Sequence, residues 1–393
     1  MQALLLMLPL LGPVAAQGDN SDHERAVEAI TRAGGYLRLD PTLNGSQVVV
    51  VNMGKDEADD SLLVHLRPFD NLKELYLSRN ARITDAGLAS LKGLRSLRTL
   101  DLSDTNVTDA ALEHLSGLPS LRKLVLAGTP VNGSGLRFLL KPPSLERLDL
   151  SRTRIDDMTM EIVLEIGTLQ HLDLTATKVG GRKWVDFGKL KRLRVLFIGQ
   201  TGLGDRVIES LGANQELEWL QLAGLDFRDS SLRPLARLGK LTSLDLSGTK
   251  VGDEGTKNIL GARSLERLSL AETRISDKTL GLLSQFPKLW SLDLSRTKFT
   301  DRGLEDLNKL PSLEYLDLSE TAIGDSGIQK LDRLPDLESI WLKRTAVSDK
   351  GLIQFGANRK ISIWLESSPK YITEAGIEAI KKINPSIGVY CVD

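Results

Sequence analysis

The chain of 393 residues contains a single cysteine, Cys391, and only four histidines. One cysteine excludes an intramolecular disulfide and a cysteine-based metal cluster, so the fold must be stabilised by packing. The sequence also lacks the G-x-S-x-G, P-loop, H-E-x-x-H and C-x-x-C motifs that mark common enzymes and metal- or phosphate-binding proteins. We therefore predict no catalytic residue, no metal ion and no cofactor.

An excess of charge of one sign is also missing. The formal net charge is −1 at pH 7, which argues against the basic surface that a nucleic-acid partner requires. Aromatic residues make up only 5% of the chain, so the core must be built from leucine, isoleucine and valine. The apolar stretch at 1–16 is too short, and too interrupted by proline and glycine, for a stable membrane span.

Residues 1–16 are instead typical of a signal peptide. The stretch ends in Val14-Ala15-Ala16, with small residues at the last and third-last positions, as signal-peptide cleavage requires. We predict cleavage near Ala16 and export to a periplasmic or extracellular location. The segment has no Lys or Arg at its start, and the alternatives are an uncleaved anchor or a misassigned start of the chain.

A unit of 24 residues recurs along most of the chain. In the copy at 289–312, leucines first follow L-x-x-L-x-L spacing, as in a strand, and then recur every three residues, as in a helix. Neither half can bury its apolar side alone, so copies must stack. Twelve units start at Leu72 (followed by one extra residue), Leu97, Leu121, Leu145, Leu169, Leu193, Leu217, Leu241, Leu265, Leu289, Leu313 and Leu337.

This pattern divides the chain into four parts: a signal peptide at 1–16, a polar segment with a capping helix at 17–46, repeats at 47–360, and a degenerate repeat with a cap at 361–393. The capping helix is predicted at 22–33, between a capping-box sequence and Gly34-Gly35. The run QVVVV at 47–51 predicts the first strand of the sheet. Two further strands are predicted at 361–365 and 387–392.

Two polar positions recur within the unit. The position of Thr297 holds threonine in most copies, and we predict that its hydroxyl satisfies backbone groups of neighbouring coils. The position of Asp301 holds aspartate in most copies, and we predict that it caps the helix that follows.

The unit L-x-x-L-x-L-x-x-T-x-[IVLF]-x-D-x-G-L resembles the leucine-rich repeat, in the subtype of F-box substrate receptors and ribonuclease-inhibitor-like horseshoes. Ile83–Leu88 reproduces the I-T-D-x-G-L phrase of that subtype. Threonine in place of the usual cysteine or asparagine resembles bacterial members, without an F-box. The resemblance implies a right-handed α/β solenoid, with thirteen or more parallel strands on the concave face and short α-helices on the convex face. This fold serves as a general binding scaffold.

Within each L-x-L, the residues flanking the second leucine point to the concave face. We predict that a protein partner binds there, through Tyr76, Asp101, Arg147, Asp149, His171, Asp173, Val195, Phe197, Trp219, Gln221, Asp245, Arg267, Asp293, Tyr315, Asp317 and Trp341.

Adjacent carboxylates give this face its first distinctive feature. Asp149 lies beside Asp173, and Asp293 beside Asp317, if neighbours in register are about 5 Å apart. Such pairs fit a groove that binds a basic patch of a partner. Alternatively, L-D-L-S is ordinary repeat consensus, with Arg147 and His171 neutralising the first pair.

Aromatic residues give it a second feature. Val195, Phe197 and Trp219 form an apolar group at the centre, which either anchors a partner or fills a crevice. Trp341 and Trp364 are predicted to stack near the C-terminal end, either to bind a ligand or to pack under the cap.

We therefore predict a non-enzymatic, monomeric, exported protein that recognises a protein partner through its concave sheet. An intracellular adaptor, such as a ubiquitin-ligase receptor of the F-box type, is the alternative. A carboxylate-based hydrolase is a third reading, with no recognisable catalytic constellation to support it.

Overall fold

The computed structural model describes residues 20–43, 47–141, 145–180, 185–356, 360–366 and 371–392. The predicted signal peptide and the cleavage site near Ala16 lie outside these residues.

In the described ranges, sixteen strands form one sheet in strict sequence order. From β2 onward all pairs are parallel and in register, so equivalent residues of successive repeats lie side by side. The strands are β1 Tyr36–Asp40, β2 Gln47–Asn52, β3 Glu74–Tyr76, β4 Thr99–Asp101, β5 Lys123–Val125, β6 Arg147–Asp149, β7 His171–Asp173, β8 Val195–Phe197, β9 Trp219–Gln221, β10 Ser243–Asp245, β11 Arg267–Ser269, β12 Ser291–Asp293, β13 Tyr315–Asp317, β14 Ser339–Trp341, β15 Ser362–Glu366 and β16 Gly388–Val392.

Short helical segments alternate with the strands. The α-helices are α1 Asn20–Arg32, α2 Asp60–Leu63, α3 Asp85–Leu88, α4 Leu112–Leu115, α5 Met160–Glu165, α6 Asp205–Ser210, α7 Asp253–Asn258, α8 Asp277–Leu283, α9 Asp325–Ile328, α10 Asp349–Gly356 and α11 Glu374–Ile383. The 3₁₀ helices are Val64–Leu66, Ala89–Leu91, Asp109–Ala111, Ser134–Leu139, Phe187–Lys189, Leu211–Ala213, Asp229–Arg237, Gly303–Lys309 and Gln329–Arg333.

These 3₁₀ segments correct the prediction that the convex elements are all α-helices. In Gly303–Lys309 the leucines recur every three residues, which matches the three residues per turn of a 3₁₀ helix. The solenoid itself is confirmed, because its core is one continuous cluster of buried side chains extending from Ala26 to Ile387. No helix in the described part of the chain combines the length and apolarity needed to cross a membrane.

The N-terminal end differs from prediction. The strand at 47–51 is present but is not the first, because β1 precedes it and pairs with it in antiparallel fashion, with a register shift between Arg38 and Leu39. The repeat pattern does not predict β1, because β1 occurs once and its residues are mostly exposed, unlike the buried run that follows. The helix α1 begins at Asn20, so the predicted capping residue Ser21 lies inside the helix. The helix ends before Gly34, as expected.

The repeated threonine acts within its own coil, which corrects the prediction of contacts between coils. The hydroxyl of Thr249 donates to the carbonyl of Leu246 at 2.6 Å, and equivalent threonines do the same. Only Asn80, which replaces threonine in one unit, makes the predicted cross-coil bond among these positions, accepting from the backbone N–H of Ala58 at 2.8 Å. The longer asparagine side chain spans a gap that a threonine hydroxyl does not.

The repeated aspartate acts between coils, which corrects its assignment as a cap of its own helix. Asp253 is the first residue of α7, and its carboxylate accepts bonds from the backbone N–H of Ser276 (2.9 Å) and from the hydroxyls of Ser276 and Thr279 (both 2.6 Å) in the next coil. We call the set that binds the next coil in this way the aspartate ladder: Asp60, Asp85, Asp109, Asp157, Asp205, Asp229, Asp253, Asp277, Asp301, Asp325 and Asp349.

The aspartate ladder explains why glycine occurs in the D-x-G-L motif. A side chain at Gly327 would collide with the carboxylate of Asp301 from the preceding coil. The glycine is therefore required by the close approach of the ladder and not by backbone conformation.

Candidate functional site

The concave face consists of three columns of outward side chains. The first column holds the first residue of each three-residue strand, and the second column holds the third residue, with a buried core residue between them. The third column lies two residues beyond the second and is mostly small, comprising Ser78, Ser103, Ala127, Ser151, Thr175, Gly199, Ala223, Ser247, Ala271, Ser295, Ser319 and Lys343. Small residues leave the floor of this side open.

All sixteen predicted contact residues lie in the first or second column. The first column holds Arg147, His171, Val195, Trp219, Arg267 and Tyr315, and the second holds Tyr76, Asp101, Asp149, Asp173, Phe197, Gln221, Asp245, Asp293, Asp317 and Trp341. They do not converge on one point, since β3 and β14 are roughly 50 Å apart at the usual strand spacing. The structure instead brings some of them together in three groups and in an aromatic row at the C-terminal end.

The first group, which we call the central aromatic cluster, comprises Phe197, Trp219 and Arg267. The rings of Phe197 and Trp219 meet edge to face, with centroids 4.9 Å apart. The Arg267 guanidinium lies 5.6 Å from the Trp219 ring and 5.7 Å from that of Trp290. Trp219 nevertheless remains 42% exposed. A large aromatic side chain that is partly covered by a cation and still exposed is typical of an anchor in a protein interface.

A cavity of about 340 Å³ adjoins this cluster. Its walls combine apolar rings with polar groups, namely Phe197, Trp219, Gln221, Asp245, Arg267 and Asp293. Such a mixture suits one amphipathic side chain of a partner, with its stem against the rings and its polar tip at a carboxylate.

The second-column aspartates have a structural role as well as a charge. The carboxylate of Asp149 accepts from the backbone N–H of Ser151 at 2.9 Å, and Asp317 accepts from that of Ser319 at 2.8 Å. The same turn occurs at Asp101, Asp173, Asp245 and Asp293. This turn, in which the side chain bonds the backbone two residues on, explains the L-D-L-S consensus. It leaves the charge of each carboxylate in place.

The second group is the acidic pair Asp149 and Asp173 on β6 and β7. Burial raises the pKa of Asp173 above its ordinary 3.8 and the charge of Asp149 raises it further, against opposing hydrogen bonds. Burial and then the charge of Arg147 lower the pKa of the His171 imidazole, which disfavours a positive charge on His171 beside this pair. In the described residues no ion pair joins Arg147 to either carboxylate.

The third group is the acidic pair Asp293 and Asp317 on β12 and β13. Burial raises the pKa of Asp317 and Asp293 adds to the rise, although hydrogen bonds from Ser319 and the charge of Lys343 oppose it. Burial also raises the pKa of Tyr315 to about 12, with contributions from both carboxylates. This part of the groove therefore holds negative charge that the free protein stabilises poorly.

Four aromatic residues lie in a row at the C-terminal end, which we call the aromatic ladder: Tyr315, Trp341, Trp364 and Tyr390. Tyr315 is tilted at 50° to Trp341, with ring centroids 6.4 Å apart, and the other three rings are stacked. Trp341 and Trp364 are stacked as predicted, with centroids 4.8 Å apart and planes 7° apart. Tyr390 of β16 covers the other face of Trp364 at 4.6 Å. Because both faces of Trp364 are covered, the aromatic ladder packs under the C-terminal cap, and its rings are not free to stack on a ligand at Trp364.

Two aromatic residues, one in contact with the central aromatic cluster and one in the aromatic ladder, were not predicted as site residues from the sequence. Trp290 precedes β12 and contacts Arg267 through its ring, at a position that the column pattern does not identify. Tyr390 could have been found, since the predicted strand at 387–392 places it opposite Trp364. No group of three or more His, Cys, Asp or Glu side chains suited to a metal ion occurs in the described ranges.

Comparisons with known proteins agree with this architecture. Two protein-family models match the chain: the family described as leucine-rich repeat region matches residues 110–377, and the family described as leucine rich repeat matches residues 70–131. No curated protein sequence matches the chain.

Solved structures of low identity share the fold. An internalin (InlF) from Listeria monocytogenes str. 4b F2365 aligns with a TM-score of 0.61 at 19% identity, covering 89% of this chain and 96% of its own. A leucine-rich-repeat protein from Leptospira interrogans aligns with a TM-score of 0.50 at 18% identity, covering 83% of this chain and 80% of its own. The match to the family model covers more than half of the sequence, and the chain belongs to the leucine-rich repeat family.

Proposed function

We propose that this protein is a non-enzymatic scaffold that binds a protein partner on its concave sheet. The observation that carries the proposal is the exposed Trp219, held edge to face against Phe197 and beside a cavity that ends at carboxylates. Aromatic side chains that remain exposed at the centre of a groove are common energetic anchors of interfaces.

The partner presents basic groups in this proposal. Asp317 and Asp173 have raised pKa values because they are buried beside another carboxylate. A Lys or Arg side chain of the partner, placed between Asp293 and Asp317, would relieve that repulsion and replace lost solvation by charge-assisted hydrogen bonds. The same pairs disfavour anionic partners, which supports a protein rather than a nucleic-acid partner.

We also propose the subtype of the repeats and the location of the protein. The repeats have the I-T-D-x-G-L phrase of the ribonuclease-inhibitor-like and F-box subtype, with threonine replacing cysteine. We place the chain outside the cytoplasm, after removal of residues 1–16, and we expect it to be a monomer.

The test uses the purified chain as immobilised bait in an extract of its source. Phe197→Ala combined with Trp219→Ala is expected to abolish capture of the proteins that the wild type retains, while the thermal unfolding curve stays nearly unchanged. Tyr36→Ala is the matched control, since Tyr36 is a 63% exposed aromatic residue on β1, outside the central columns. Capture at wild-type level by the double variant would refute the central aromatic cluster as the anchor.

A second comparison tests the basic character of the partner. Asp293→Asn with Asp317→Asn is expected to weaken capture and to reduce its sensitivity to salt, because screened attraction to a cation is lost. Equal salt dependence in wild type and variant would show that the partner does not use this pair.

A further inference from the structure

Arg267 of the central aromatic cluster is held in place by aromatic rings and a hydroxyl. Its guanidinium lies 5.6 Å from the Trp219 ring and 5.7 Å from the Trp290 ring, and its Nε donates to the hydroxyl oxygen of Ser243 at 3.4 Å. Within the described ranges Arg267 forms no ion pair. A guanidinium has five N–H donors, so the side chain is oriented while most of its donors have no acceptor in the protein.

Two serine hydroxyls flank Arg267 on the sheet. Ser243 on β10, Arg267 on β11 and Ser291 on β12 pair in register, so neighbouring residues lie about 5 Å apart. Ser243 is only 6% exposed, and its hydroxyl accepts the bond from Arg267. Among the residues that the structure describes, neither serine hydroxyl donates to an acceptor. We call these three residues the serine–arginine cradle, since they present hydrogen-bond donors on three consecutive strands.

The serine–arginine cradle opens into the cavity of about 340 Å³ beside the central aromatic cluster, and all three of its residues line that cavity. On the same strands, Asp245 follows Ser243 and Asp293 follows Ser291 by two residues, which is a distance of about 7 Å along a strand. The cavity therefore offers donors for an anion in its first column and carboxylates for a cation in its second column.

A carboxylate is the anion that suits this cavity. The planar guanidinium of Arg267 matches the two oxygens of a carboxylate, and serine hydroxyls can donate to the same oxygens. A phosphate or sulfate would bring more negative charge close to Asp245 and Asp293, so repulsion disfavours it. A single carboxylate is tolerated when a basic group accompanies it and binds these two aspartates.

We propose that the serine–arginine cradle binds an acidic side chain, Asp or Glu, of the protein partner. This inference rests on the proposed function, because it concerns the same groove, and it adds an acidic group to the basic one already proposed for the partner. The partner segment then presents an acidic and a basic group about 7 Å apart, at the spacing between the two columns. Arg267 selects the acidic group, and Trp219 contacts the apolar part of the same segment.

A library of random peptides displayed on phage, selected on the immobilised full chain, tests the proposal. We expect the wild type to select peptides enriched in Asp or Glu close to Lys or Arg. Arg267→Gln is expected to lose the acidic enrichment and keep the basic one. Ser243→Ala combined with Ser291→Ala keeps the arginine and should reduce the acidic enrichment as well, so the test does not depend on one variant.

Two further variants make the comparison specific. Asp245→Asn combined with Asp293→Asn is expected to lose the basic enrichment and keep the acidic one. Arg302→Gln is the matched control, because Arg302 is an exposed arginine at the start of the 3₁₀ helix Gly303–Lys309, and it should keep both enrichments.

A synthetic peptide from the wild-type selection, amidated at its C-terminus, measures the size of the effect. Replacing its acidic residue by the corresponding amide is expected to weaken binding to the wild type about tenfold to hundredfold, as for hydrogen bonds to a charged group. The same replacement should change binding to Arg267→Gln by less than about twofold, because the cation that recognises the acid is absent there.

The outcomes separate this inference from the proposed function. Peptides that require Trp219 but show no acidic enrichment, or whose acidic residue can be replaced without loss, would overturn the role of the serine–arginine cradle and leave the proposed function standing. A selection that yields no peptide, or peptides that bind equally well to the Phe197→Ala and Trp219→Ala double variant, would contradict the proposed function and this inference with it.

Discussion

Two recurring aspartate positions of the repeat, represented by Asp253 in the aspartate ladder and Asp317 in the second column, show opposite shifts in pKa. Asp253, in the aspartate ladder, receives three hydrogen bonds from the next coil. Burial works against its charge, but these bonds from Ser276 and Thr279 outweigh it and lower its pKa. Asp317, in the second column, is more buried, lies beside Asp293, and has a raised pKa.

The comparison separates structural from functional use of one residue type. The carboxylates of the aspartate ladder accept hydrogen bonds from the next coil and so hold coil against coil, and in Asp205 and Asp253 these bonds lower the pKa against the effect of burial. In the groove, burial raises the pKa of Asp173 and of Asp317, and the backbone N–H bond that each of these carboxylates accepts could also be accepted by an asparagine. A group that is poorly stabilised in the free protein is available to a partner.

The largest effect is expected from Asp253→Asn. The asparagine side chain has one acceptor oxygen where aspartate has two, so it cannot accept all the bonds from Ser276 and Thr279, and hydrogen bonds between two coils are lost. We expect a loss of about 2–4 kcal/mol in the free energy of unfolding, as for charged hydrogen bonds that leave polar groups unsatisfied. Urea unfolding at neutral pH measures this loss. An unfolding midpoint equal to that of the wild type would show that the aspartate ladder does not stabilise the fold.

A smaller loss is expected from Thr249→Val. Its hydroxyl makes one neutral bond within its own coil, to the carbonyl of Leu246. We expect a cost of about 1–2 kcal/mol, through the loss of that bond. The same urea titration compares it with Asp253→Asn, and an equal or larger loss for Thr249→Val would contradict the greater weight given to bonds between coils.

A change of opposite sign is expected from Asp317→Asn. It removes the charge that burial and Asp293 disfavour while keeping the bond from the Ser319 N–H, so the melting temperature at pH 7 should rise slightly. Thermal unfolding followed by circular dichroism measures this shift. A fall as large as that of Asp253→Asn would mean that Asp317 stabilises the free protein after all.

The difference between these two variants depends on pH in a defined way. The pKa of Asp317 is raised above 3.8, so the gain from Asp317→Asn is present at pH 7 and vanishes as the pH falls to 3.8 and below. The pKa of Asp253 is lowered, so the loss from Asp253→Asn persists to 3.8 and fades only at lower pH. Melting temperatures from pH 7 to pH 3 check the order, and the reverse order would contradict both assignments.

The sequence predicts the fold in unusual detail because the same pattern of apolar and polar positions recurs in every 24-residue unit. The columns of outward residues follow from a period of 24 residues and an in-register parallel sheet, and Trp364 lies where its strand predicts it. The edge strand β1 could not be found this way, since it occurs once and does not repeat.

The direction of side-chain bonds was also beyond the repeat pattern. Thr249 and Asp253 recur equally regularly, but only the three-dimensional offset between coils decides that the first bonds within its coil and the second to the next. The burial that separates Asp317 from Asp253 depends on the same offset. Position in the repeat predicts where a residue lies, and the stacking decides what it contacts.

The most direct test of the central claim is a carbon-13 NMR titration of the aspartate carboxyl groups in the free protein. We expect Asp317 to titrate above 3.8 and Asp253 below it, and a bound basic partner to move the Asp317 midpoint downward. If Asp317 titrates at or below 3.8 in the free protein, the groove is not poised for a cation and the account is wrong.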